Sequence, residues 1–205
     1  MKILVVYYSL YGHVRRLAQA VTEGVESVPG AEMVLRRVKE FEDIEREVIP
    51  NSKHAKEVWE QHKDVPVCTL DDLKAADGYV FGTPTRYGNM TAQMKRLLDS
   101  TVNLWLEGVF EGKPAGIFVS TATTHGGQET TALTTMVPLL HLGMVIVGVP
   151  YSTPGMLHTE GRGGTPYAAT TLAGSTNELT PAPEDLDIAR ALGQRVAAIT
   201  QKLRG

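Results

Sequence analysis

Cysteine is almost missing from this chain. The single one, Cys68, excludes an internal disulfide and any Cys-rich metal site, and it fits a reducing, intracellular setting. Long apolar runs are missing too: none approaches the ~20 residues that span a bilayer. Charge of one sign is not in excess. The 20 basic and 23 acidic residues leave a formal net charge of -3, too balanced for a nucleic-acid footprint and too mild for a carrier that docks by charge. No G-x-G-x-x-G follows the first apolar run, and Gly112-Lys113 runs into Pro114, so no P-loop forms there. There is no internal repeat. The first residues read as a strand rather than a signal peptide. The expectation is a cytoplasmic protein with no membrane, metal or nucleic-acid partner, forming one domain over residues 1–205, with 42% apolar residues to build its core.

What is present alternates. Residues 2–8, 32–38, 78–82, 115–120 and 144–149 read as short apolar strands, the second an edge strand because of its charges. Between them lie helical patterns: residues 13–27, a stretch marked by Met90, Met94, Leu97 and Leu98, and another marked by Leu133, Val137 and Leu140. A last helix over 184–203 carries Ala189, Leu192, Val196, Ile199 and Leu203 at spacings of three and four. Residues 39–72 form a polar connection with a short helix around 55–61 and a helical turn over 71–76. Residues 101–112 read as an irregular loop, and 150–182 as a second long connection rich in Gly, Thr and Pro. This alternation predicts an α/β doubly wound parallel sheet of five strands, order 2-1-3-4-5, with helices on both faces. Ligands of such sheets bind beyond the carboxyl ends of the strands, where the winding reverses. The loops after the first, third and fourth strands must meet there.

Each of those loops has suitable chemistry. Ser9-Leu10-Tyr11-Gly12-His13-Val14 joins a strand directly to a helix start, which aims free N–H groups and a positive dipole end at one point, suited to phosphate. Gly12 allows the bend and Ser9 adds a hydroxyl. An ordinary corner capped by Ser9 is the plainer account. The second loop is Gly82-Thr83-Pro84-Thr85-Arg86-Tyr87-Gly88-Asn89-Met90. Its amides can meet a heteroaromatic edge, Tyr87 can cover a ring face, and Arg86 can meet an anion or a negatively charged ring. The plainer account is a Gly/Pro turn with a solvated Arg. The third loop, Ser120-Thr121-Ala122-Thr123-Thr124-His125-Gly126-Gly127-Gln128-Glu129, offers small hydroxyls to polar ligand edges or is a flexible surface loop. Together the three suit a flat aromatic cofactor with a phosphate tail, for which flavin mononucleotide (FMN) is the candidate.

These segments, with His141 and Gly143-Met144-Val145-Ile146-Val147, and with Arg162-Gly163-Gly164-Thr165-Pro166-Tyr167, resemble the flavodoxin-like tryptophan-repressor-binding protein (WrbA) family over nearly the whole chain. The general flavodoxin fingerprint would put hydroxyl residues where Tyr11 and Val14 stand. The resemblance implies an FMN-dependent NAD(P)H:quinone oxidoreductase that passes electron pairs by a ping-pong route. It implies a homotetramer whose neighbours complete each active site. Ser9 to Val14 would bind the FMN phosphate, with Tyr11 also near the nicotinamide nucleotide. Thr83 to Asn89 would line the ring, and Ser120 to Gly126 would hold its other polar edge and the ribityl chain. His141 would approach from a neighbouring element, and Trp105 would sit over the substrate face. From the residues alone, Trp105 is as readily a local core anchor, and His141 a helix-end cap. The 162–166 stretch suits a subunit contact. Flavin-centred chemistry calls for no side-chain nucleophile; Arg86 would stabilise ring charge, and His125 or His141 would assist protonation. The rival functions are a one-electron flavodoxin-type carrier and a non-enzymatic partner of a repressor. The long 150–182 connection, Trp105 and the mild charge weigh against the first, and the lack of a basic stripe against DNA contact in the second.

Overall fold

A computed structural model describes residues 1–160 and 162–204. Apolar runs with no polar alternation become the central strands, because only a sheet covered on both faces buries every side chain of such a run. They are β1 (Lys2–Tyr7), β3 (Gly78–Pro84) and β4 (Pro114–Thr121), with β2 (Glu32–Arg37) half-buried at one edge. All pairings are parallel, in the order β2-β1-β3-β4-β5, with β5 at Val145–Ile146. This is the expected winding.

One strand departs from expectation. The segment 144–149 contributes only two paired residues, beside Pro114 and Ala115. The upper half of the β4 edge is taken by β6 (Ala169–Leu172), which pairs with Phe118 to Thr121. The chain leaves the sheet after Val147 and returns at Ala169. The Val149 N–H donates to the Pro166 carbonyl at 3.1 Å and ties the two stems. Buried Asp185 pins the excursion, accepting from the Gly163 N–H at 2.8 Å and the Thr171 hydroxyl at 2.7 Å. The sequence predicts a loop over this strand, because Ala-Thr-Thr-Leu has no apolar run. Its threonines are buried by bonding rather than by hydrophobicity.

Helices α1 (His13–Glu26) and α7 (Pro183–Leu203) cover one face, packing on Ile3, Val5, Tyr7, Val80 and Phe118. A Cβ on Gly24 would lie 1.9 Å from the Arg190 carbonyl oxygen, and one on Gly193 would lie 2.1 Å from that of Val21. Only glycine lets these helices touch. The other face carries α3 (Leu70–Ala75), α4 (Ala92–Asp99) and α6 (Gln128–His141) over Leu4, Val6, Phe81 and Ile117. The connection after β2 holds a π-helical turn, Ile44–Val48, and α2 (Lys53–His62), capped by Ser52 accepting from the Ala55 N–H at 3.2 Å.

One further expectation is corrected, and one helix shows an unusual face. Residues 102–106 are not irregular but form a short helix, α5 (Val102–Leu106). The stripe that marks α6, Leu133, Val137 and Leu140, faces outward; the helix buries Thr131, Ala132, Thr135 and Leu139 instead. No helix among the described residues is long and apolar enough to cross a membrane, and no group of three or more His, Cys, Asp and Glu there could hold a metal. Cys68 is buried, which pushes its thiol up to about 12 and leaves it unreactive.

Candidate functional site

The first loop begins where β1 ends. The Tyr8 N–H still pairs with the Gly82 carbonyl at 2.9 Å, and the chain then turns. Ser9 Oγ accepts from the Gly12 N–H at 3.1 Å, so the serine stabilises the turn and does not cap the helix. Gly12 occupies the N-cap position at φ 90, and no side chain caps α1. His13, Val14 and Arg15 therefore present helix N–H groups without an intrahelical acceptor. α2 braces this loop from outside. His54 Nε2 donates to the Tyr11 carbonyl at 3.1 Å, and the two rings stack at 6.1 Å and 11°. The buried His13 ring is fixed through Nε2 to the Leu179 carbonyl at 2.7 Å. Burial holds its pKa below the ordinary 6.5, opposed by that hydrogen bond.

The second and third loops are bonded to each other. The Thr85 N–H donates to the Ser120 carbonyl at 2.9 Å. Thr85 Oγ1 accepts from the Gly88 N–H at 3.1 Å and from the Thr131 hydroxyl at 2.8 Å. Arg86 and Asn89 exchange backbone bonds around Tyr87 (φ 52) and Gly88 (φ 76), a tight turn with positive φ at both central residues. Tyr87 in that conformation is fully exposed, a strained presentation of the kind found at ligand sites. Gly127 begins α6 at φ 101; a Cβ there would sit 3.2 Å from Gly88 Cα. Thr121 Oγ1 donates to the Thr123 carbonyl at 2.9 Å, which shapes the third loop.

These loops enclose one cavity of about 150 Å³. It is lined by Ser9, Leu10, Tyr11, His13, Val14, Pro84, Thr85, Arg86, Ser120, Thr121 and Ala122. Gly12, Tyr87, Gly88 and Asn89 complete the same loops, and Thr83 lies buried beneath them, its hydroxyl accepting from the Thr91 N–H at 3.1 Å. Two lining residues were missed by sequence reasoning, Ala173 and Asn177. They come from the turn after β6, where the Ala173 and Gly174 N–H groups bond the Thr121 and Ala122 carbonyls at 2.7 and 3.0 Å. Ala173-Gly174-Ser175-Thr176-Asn177 is itself a strand-end turn, and recognising β6 would have exposed it.

Four predicted residues lie elsewhere. Thr124 and His125 line a separate cavity of about 460 Å³ with His158 and Arg162. Trp105 and His141 are not at the pocket of their own chain. They line a cavity of about 390 Å³ between α5 and α6, with Val102, Val137 and Lys95. Trp105 is 51% exposed, which rules out the core-anchor account.

A buried polar cluster lies behind the pocket. Glu40 accepts from the Tyr8 hydroxyl at 2.6 Å, from Gln93 Nε2 at 2.6 Å and from the Phe41 N–H at 2.9 Å. Gln93 Nε2 also meets the Tyr8 oxygen at 3.0 Å. Burial, and then Glu40, raise the Tyr8 pKa. Glu40 thus joins the end of β1, just ahead of the first loop, to α4, just after the second. No sequence signal marks it within the polar 39–72 stretch.

The sequence model of the NADPH-dependent FMN reductases matches residues 1–156. The chain belongs to this family. Among its relatives in the family are proteins named NAD(P)H dehydrogenase (quinone). That of Solidesulfovibrio magneticus is 50% identical over 205 residues, covering 100% of both chains. That of Syntrophobacter fumaroxidans is 52% identical over 204 residues, covering 99% of this chain and 98% of its own. In fold the chain is similar to a flavodoxin, WrbA-like protein from Agrobacterium tumefaciens (TM-score 0.64, 24% identity, 98% of each chain). It is also similar to a flavodoxin from the domain Archaea (TM-score 0.62, 20% identity, 98% and 99%). This FMN reductase family member therefore has the flavodoxin-like doubly wound fold. The family match ends inside the excursion between β5 and β6, so Ala173 and Asn177 lie beyond it.

Proposed function

We propose that the chain is an FMN-dependent NAD(P)H:quinone oxidoreductase that reduces quinones to hydroquinones by electron pairs, with the two substrates using one site in turn. One observation carries this reading: the loops after β1, β3 and β4 line a single cavity at the carboxyl edge of the sheet, against the uncapped start of α1. The residues present fit FMN. The N–H groups of His13 and Val14 need an acceptor that no side chain supplies, and a phosphate is such an acceptor. FMN, when bound, supplies the hydride acceptor and donor that links the two half-reactions.

The protein's own residues would do the rest. Ser9 to Val14 hold the phosphate. Thr85 fixes the ring-binding turn against α6, and Arg86 sets a positive charge beside the ring. Ser120, Thr121 and Ala122 carry hydroxyls and amides toward the ring edge and ribityl chain, with Asn177 at their side. Tyr11 and Tyr87 flank the opening through which nicotinamide and then quinone would approach.

The assembly belongs to the same proposal. Val102, Trp105 and Leu106 of α5 lie exposed with Val137 and Leu140 of α6. An apolar face of this kind marks a contact surface. A homotetramer would cover it and bring a neighbour's Trp105 and His141 toward the pocket. The test is the visible spectrum of the purified protein followed by turnover with NADH and benzoquinone. A yellow protein that turns over both supports the reading. A yellow protein with negligible NADH oxidation points to a one-electron carrier and overturns it.

A further inference from the structure

Glu40 is a buried acid without a counter-ion. The Tyr8 hydroxyl, Gln93 Nε2 and the Phe41 N–H all donate to it, at 2.6, 2.6 and 2.9 Å. Among the described residues no cation lies within 4 Å of its carboxylate. Three donors satisfy a group that only accepts, yet they leave its charge uncancelled. Apolar side chains of similar volume would fill such a place without the cost of desolvating a charge. Stability alone therefore does not account for an acid here.

Its position does. Glu40 lines a small cavity of about 10 Å³ with Tyr8, Ser9 and Leu10. Ser9 and Leu10 also line the flavin pocket. The first loop is thus the wall between the two, with the carboxylate behind it. The other arm of the cluster, Gln93, stands in the first turn of α4, directly after Thr91, whose N–H bonds Thr83 of the second loop at 3.1 Å. The Tyr8 phenol registers both sides of the wall. Burial and then Glu40 raise its pKa, and Arg86, which lines the pocket, lowers it.

We propose that Glu40 is a positioning residue of the flavin reaction: it clamps the end of β1 to the start of α4, and its fixed negative charge makes bound FMN a stronger reductant. The inference rests on the FMN-dependent reading above and deepens it. A hydride is two electrons and one proton, so a neutral ring that takes it from NAD(P)H gains one negative charge, and the dinucleotide departs as NAD(P)⁺. A fixed anion behind the loop opposes that gain. It favours the second half-reaction, in which the hydride and one proton from solvent convert quinone to hydroquinone. Arg86 acts in the opposite sense from inside the pocket.

The test is spectroelectrochemical titration of the FMN-loaded protein, with FMN affinity from fluorescence titration and melting of the flavin-free chain alongside. Glu40→Gln removes the charge. The flavin's reduced-to-oxidised ratio at a given potential should rise about 10-fold, the size of one charge acting through about 10 Å at an effective dielectric near 20. For a two-electron couple this raises the midpoint by ~30 mV. Glu40→Asp keeps the charge on a shorter arm, so FMN affinity should fall several-fold with the potential unmoved. The triple variant Tyr8→Phe/Glu40→Met/Gln93→Leu replaces the cluster by apolar packing, and it stands in for Glu40→Gln if that variant does not fold. It should melt no lower than wild type and still show the raised potential. A midpoint unchanged in the charge-free variants overturns the inference, as does an FMN affinity unchanged in Glu40→Asp. A wild type that binds no FMN overturns the parent reading instead.

Discussion

Thr85 shows how much of the site depends on single hydroxyls. Its Oγ1 takes one bond from its own turn and one from α6. A Thr85→Val variant keeps the shape but leaves both donors without a partner. FMN affinity should fall about 10-fold, by the usual cost of stranding such groups, with the far-ultraviolet dichroism unchanged; fluorescence titration measures it. His62 gives a pH signature instead. Burial, with Arg37 and Arg15 nearby, pushes its pKa down from 6.5 to about 4. The unfolded chain therefore binds a proton that the folded one resists. Stability should be full above about pH 6.5 and fall as the pH drops toward 4. His13 shifts in the same direction, so a His62→Gln variant should flatten the fall in part. Denaturant melts at pH 7 and pH 4.5 will register it; an equal fall in wild type and variant contradicts the assignment.

Elements built from continuous apolar runs were readable in advance, because the hydrophobic effect alone specifies them. β1, β3 and β4 are of that kind, and so is the winding that brings their loops together. β6 escaped because Ala-Thr-Thr-Leu is buried through hydrogen bonds, and α5 because five residues carry no period. The α6 stripe marks the right helix, yet it faces outward: sequence reports which residues are apolar, and not which face the fold buries. Glu40, Ala173 and Asn177 reach the site only through tertiary contacts of long connections. The α1–α7 crossing was equally hidden, since glycine inside a helix ordinarily signals weakness. Here it marks contact, and Gly24→Ala should cost about 1–3 kcal/mol of unfolding free energy by overpacking. A neutral result in chemical denaturation would show that the helices can part without loss.

At the scale of the whole molecule, the exposed apolar face of α5 and α6 sets the expectation for assembly. Val137→Lys places a charge on the half-exposed apolar face that the single chain leaves uncovered. The variant should fold normally yet elute at the mass of a smaller species in light-scattering chromatography, and it should lose quinone reductase activity if a neighbour completes the pocket. The central claim is simpler: three loops distant in sequence make one flavin site. Titrating the flavin-free protein with FMN while following fluorescence quenching tests it most directly. The account predicts saturable binding of one FMN per chain, with added stability of ~2.7 kcal/mol at about 100 times the dissociation constant. A linear, non-saturating titration together with an unchanged melting curve would contradict it.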